Sequence, residues 1–199
     1  MMATSVTLEV LRQHLEEFGW KQYDVTDEEG EQEGLIFTGY MGSDGKPHRI
    51  IIDPVVEKGA LRIMAPDIVM APADKLEPER LHELTFAVAA INARSVLAWL
   101  SYAPDVGAVA AQVAMPIDEN DLSFEQFKRA LEAVLWMIST YGPGLQEVAD
   151  GKRKALEIIE EPTKLPTPEE LEAMRQVLAD LEDRVRKAQE ADKPEGDKE

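Results

Sequence analysis

The fold is decided by the stretch Leu35-Ile-Phe-Thr-Gly-Tyr-Met41, Gly42-Ser-Asp-Gly-Lys46, His48-Arg-Ile-Ile-Ile-Asp-Pro-Val-Val56 and, beyond Glu57-Lys-Gly59, Leu61-Arg-Ile-Met-Ala65. Short runs rich in β-branched and aromatic residues alternate there with turn chemistry, and Asp44-Gly45 is a tight-turn pair. The segment therefore reads as an antiparallel meander, to which Trp20 to Val25 adds a strand across the acidic stretch from Asp27 to Gly34. Upstream, Leu8, Leu11, Leu15 and Phe18 recur at three- and four-residue steps between Thr7 and Gly19, which predicts a helix with one buried face.

Downstream, a loop punctuated by proline leads to a second helix opening at Pro78, with Leu81, Leu84, Val88 and Ile91 on one stripe and an end near Asn92 to Ser95. Two strands follow, Val96 to Tyr102 and Val106 or Ala108 to Met115, around a Pro104-Asp105 turn. Ser123 and Gln126 form a capping box for a third helix, which is expected to send Phe124, Phe127, Leu131, Val134, Leu135 and Ile138 inward. Tyr141-Gly-Pro-Gly144 is read as its end, with a further helix over Leu145 to Glu161. The fold class is α+β: an antiparallel sheet in the order α-ββββ-α-ββ-α with helices packed on it, plus a helical C-terminal extension.

Composition limits the function. The 199 residues are 44% hydrophobic, enough for a core, and carry a net charge of -18. That sign disfavours nucleic acid and anionic lipid surfaces, so neither nucleic acid nor membrane is expected as a partner. Without cysteine there is no thiolate nucleophile and no Cys-built metal site. Met1 to Gln13 lacks the apolar core of a secretory signal, and the expected location is the cytoplasm.

The expected domain spans residues 5–148 and is followed by a helical extension over 149–191, with a proline hinge near 162–168 and a disordered tail at 192–199. Thr167-Pro168-Glu169-Glu170 is a helix start, and Leu171, Met174, Leu178, Leu181 and Val185 then repeat in the seven-residue pattern of a packing seam. Such a helix needs an apolar surface, its own domain's or a neighbour's.

The element order, together with Leu15-Glu-Glu-Phe-Gly-Trp20, Arg49-Ile-Ile-Ile-Asp53 and Ala90-Ile-Asn92, resembles the YbjN-type domains, which share the fold of type III secretion chaperones. The resemblance covers roughly residues 5–148. It implies a compact homodimer that binds other polypeptides or regulates, without a catalytic site.

Chemical motifs are sparse. His14, His48 and His82 fall on separate predicted elements without metal-ligand spacing, and neither a nucleophile elbow nor a glycine-rich phosphate loop is present. No cofactor or metal is expected. The carboxylates of Asp27 to Glu33 miss EF-hand positions, and those of Asp118 to Asp121 suit the start of the third helix. The stronger signal is apolar. Alternation puts Leu97, Trp99 and Ser101 on one side of the Val96–Tyr102 strand, and Ala108, Ala110, Gln112 and Ala114 on the matching side of its partner. These residues, Leu97, Trp99, Ala108, Ala110 and Ala114, form the candidate dimer or partner surface, on a ribbon expected to be apolar on both faces. The function read from this is a non-enzymatic protein-binding or chaperone-like module acting as a homodimer, with a protein or peptide client. A small-molecule-sensing regulatory domain is the alternative, and an enzyme built from acids and histidines a third.

Overall fold

The computed structural model describes residues 7–26, 34–55, 59–117 and 121–162. The chain divides into two units, Met1–Lys164 and Leu165–Glu199. The hinge beyond Pro162, the seam from Leu171 to Val185, the tail at 192–199 and the acidic stretches at 27–33 and 118–120 lie outside the described residues.

Helix α1, Leu8–Phe18, starts where Thr7 Oγ1 accepts the Val10 amide at 3.3 Å, and ends on Gly19 in the left-handed conformation with φ 94°. A two-residue strand β1, Asp24–Val25, replaces the longer run expected from Trp20. Strands β2, Ile36–Met41, and β3, Pro47–Val55, form the hairpin whose turn carries Gly45 at φ 75°. Strand β4 runs from Ala60 to Met70, well past the expected end at Ala65, because a register shift between Ala65 and Val69 absorbs Pro66, which has no amide to donate.

Helix α2, Pro78–Asn92, is followed by β5, Trp99–Ala103, and β6, Ala108–Pro116. Val96 and Leu97 thus precede the strand in which they were expected. The six strands form one antiparallel sheet in the order β1-β2-β3-β4-β6-β5.

Helix α3, Phe124–Ala149, continues straight through Pro143, where a break was expected. Proline at position i denies an amide to the carbonyl of residue i-4, here Ser139. That carbonyl instead accepts the Ser43 hydroxyl at 2.9 Å from the β2–β3 turn, so the orphan group is satisfied from outside the helix. Gly144 serves packing: a Cβ there would lie 3.0 Å from Cγ2 of Ile158, on the short helix α4, Ala155–Glu160.

Inward residues of the strands, among them Ile36, Ile50, Ile52, Leu61, Ile63, Leu100, Val109 and Val113, share one core with residues of α1, α2, α3 and α4. The helices therefore lie on one side of the sheet, and no described helix covers the other.

Candidate functional site

That outer face has a geometry set by strand register. Asp24 pairs with Phe37, Phe37 with Ile51, Ile51 with Met64, Met64 with Gln112, and Gln112 with Trp99. The side chains of directly paired residues stand on the same side of a sheet, so these six form a row perpendicular to the strands. Phe37, Ile51, Met64, Gln112 and Trp99 are half-buried, and no described helix packs over them. Five strand spacings make the row about 24 Å long.

Charges flank the row. On β3, Arg49 and Asp53 stand two residues to either side of Ile51, on the same face. Arg49 lies 3.6 Å from Asp67, and Asp53 accepts a hydrogen bond from Arg62. Both pairs are partly exposed, so each adds little stability but fixes charges of both signs along the row.

The structure brings Trp99, Ala110 and Ala114 together on this face. Trp99 and Ala110 are half-buried, and Ala114, opposite Arg62, is exposed. Ala108 is only 3% exposed at the hairpin end, and Leu97 sits before β5 in a loop, 41% exposed. Ser101 and Gln112 lie on the outer side of the ribbon, as alternation expects, and pair with one another beside Trp99, Gln112 donating to Ser101 Oγ at 3.1 Å. The apolar character of the face comes from neighbouring strands, through Met64, Ile51 and Phe37. Sequence reasoning missed these three: each was assigned to a strand, but the register that aligns them is not readable from any one strand.

Asn92 was also missed as a working residue. Its Oδ1 accepts the Leu100 amide at 2.7 Å and its Nδ2 donates to the Leu100 carbonyl at 2.8 Å. The carboxamide thereby imitates a neighbouring strand and closes the free edge of β5 at Leu100. The helix-end Ile-Asn pair of the sequence resemblance thus has a physical role.

The three histidines do different things. His14 Nε2 is 2.9 Å from the Leu122 carbonyl, with its ring against Phe124 and Phe127. His48 is buried on β3, where loss of solvent lowers its pKa below the ordinary 6.5, against the opposing pull of Asp44 at 4.0 Å. His82 is exposed on α2. Among the described residues, no group of three His, Asp or Glu side chains is placed to hold a metal ion.

A cleft of about 460 Å³ lies between the start of α2 and the α3–α4 turn, lined by Glu77, Arg80, Glu83, Lys152, Arg153 and Lys154 among others. Several of these charges already serve the fold. Lys154 Nζ is 2.9 Å from Glu79, and Glu83 accepts the Ala155 amide at 2.8 Å. The hydrogen bond between them lowers the Glu79 pKa and raises that of Lys154. The cleft tethers α4 to α2 with nearly balanced sign. No helix among the described residues is long and apolar enough to cross a membrane.

No family model matches the chain, and no curated protein matches it. Among solved structures it is similar to YbjN from E. coli, with 16% identity and a TM-score of 0.46, covering 76% of this chain and 97% of that one. It is similar also to a chain of the ExsC–ExsE complex, with 17% identity and a TM-score of 0.46, covering 70% of this chain and 97% of the other. An uncharacterized protein from Methanothermobacter thermautotrophicus matches at 17% identity and a TM-score of 0.38, over 67% of this chain and 96% of its own. YbjN, the family named from the sequence resemblance, is thus among the solved structures to which the chain is similar.

Proposed function

We propose that this protein is a non-enzymatic, chaperone-like binding module that acts in the cytoplasm as a homodimer and holds a protein or peptide partner on the outer face of its sheet. The observation that carries the reading is the half-buried row Phe37, Ile51, Met64 and Trp99, which no described helix covers. A mainly apolar face of this kind, with Gln112 between Met64 and Trp99 and charges at its border, has the make-up of a protein-binding site. Self-association is assigned to a second surface: Phe86 is 45%, Val96 102% and Leu97 41% exposed on and after α2.

The test uses the full chain. Light scattering should give twice the 22.2 kDa chain mass, and Phe86→Glu combined with Leu97→Glu should halve it. Ile51→Glu should release a polypeptide that co-purifies with the unaltered chain while leaving its melting temperature in place. A chain that is monomeric and carries no polypeptide, with or without Ile51→Glu, overturns the proposal.

The charged cleft supports a second reading, a small-molecule-sensing regulatory domain, because about 460 Å³ is the size of a small-ligand site. A metabolite screen that raises the melting temperature, with the effect abolished by Arg80→Ala, would favour it over the first.

A further inference from the structure

We propose that the partner is received as a basic amphipathic α-helix lying across the strands, along the row from Phe37 to Trp99, and not as an added strand. This rests on the reading of the outer face as the partner surface and specifies the shape and charge of what it accepts.

Three observations point to a helix. The apolar residues are aligned by register across the sheet, perpendicular to the strands, so an occupant that follows them must cross the strands. The four strand spacings from Phe37 to Trp99, about 19 Å, match about 13 residues of helix at the usual rise, a length that presents one apolar stripe of between three and four turns. The β5 edge, where a strand would otherwise add, is closed at Leu100 by the two hydrogen bonds of Asn92.

Charge selects among helices. The two ion pairs that border the row, Arg49 with Asp67 and Arg62 with Asp53, cancel in charge, so the sign of the field is set by the chain as a whole, which carries -18. A basic helix is drawn in by this field, whereas a second copy of the chain brings the same negative charge. The stripe from Leu171 to Val185 has the right apolar spacing, but Glu169, Glu170, Glu172, Asp180, Glu182 and Asp183 outnumber the bases around it. The electrostatically favoured occupant is therefore a separate polypeptide.

Two synthetic peptides of equal Leu and Lys content serve as probes against the full chain, one with leucines at three- and four-residue steps and one with leucines strictly alternating. The helical pattern should bind about tenfold or more tightly than the alternating one, with amide NMR shifts centred on Ile51, Met64, Ala110 and Trp99. Met64→Lys should weaken it by about tenfold or more without lowering the melting temperature. Preferred binding of the alternating peptide along Thr38 to Met41, the open part of the β2 edge, would overturn the helix while leaving a partner-binding protein. Shifts on the row from the alternating peptide alone would do the same. Helical-peptide binding that appears only when Leu178→Glu is introduced would give the row to the chain's own stripe and overturn the separate partner. If neither peptide shifts the row and Ile51→Glu releases nothing, the partner-surface reading falls as well.

Discussion

Replacing Asn92 by alanine removes two hydrogen bonds and leaves both partners in place. Leu100 is 2% exposed, so its amide and carbonyl lose the Asn92 carboxamide with little access to water in exchange. A buried polar group left without a partner costs about 1–3 kcal/mol, so the pair should cost about 2–4 kcal/mol after some relaxation. In a chain of this size that lowers the melting temperature by roughly 5–15 °C. Asn92→Asp separates the two bonds: the carboxylate still accepts from the Leu100 amide but faces the Leu100 carbonyl with no proton to donate, so it should be at least as damaging at neutral pH. Urea and thermal unfolding followed by far-UV circular dichroism measure the loss, and light scattering checks whether the opened β5 edge recruits other copies. An Asn92→Ala protein within about 0.5 kcal/mol of the parent would refute the edge-closing role.

Other perturbations probe separate joints of the fold. Ser43→Ala strands the Ser139 carbonyl and should cost about 1–2 kcal/mol, and that cost should shrink in a Pro143→Ala background, where an amide returns to the same carbonyl; a double-mutant cycle with no coupling contradicts this. Gly144→Ala sets a methyl group 3.0 Å from Ile158 Cγ2, and unfolding experiments should show α4 loosened with a loss of about 1–3 kcal/mol. His48 is held below 6.5 by burial, so the unfolded chain takes up its proton first as pH falls. Its contribution to stability is complete above 6.5 and is lost as pH drops through the lower folded pKa. Urea titrations across this range should show His48→Gln losing that part of the pH dependence, and parallel curves for variant and parent would rule it out.

Local chemistry was readable where the deciding contacts are local. Thr7, Gly19, Pro78 and the Ser123–Gln126 box set helix ends within a few residues of themselves, and Asp44-Gly45 set its own turn. The expectations that changed depended on distant partners. Pro143 remains inside α3 because Ser43, far away in the chain, takes over the Ser139 carbonyl. Strand β4 passes Pro66 because β6 tolerates a register shift opposite it. The same distinction governs the site: alternation correctly put Trp99 and Ala110 on one face, but only the pairing of five strands shows that Phe37, Ile51 and Met64 continue the line. Asn92 is visible in the sequence as a helix end, and its grip on Leu100 only in the folded chain.

The outer face can be interrogated directly by placing a photo-crosslinking side chain at position 64, on the row, and in a separate protein at position 132, exposed on α3, then irradiating living cells that make the full chain. Position 64 should form a discrete adduct with another polypeptide that disappears with Ile51→Glu, and position 132 should not. Adducts from position 132 alone, or none from position 64 at any exposure, would contradict the assignment of this face to a partner.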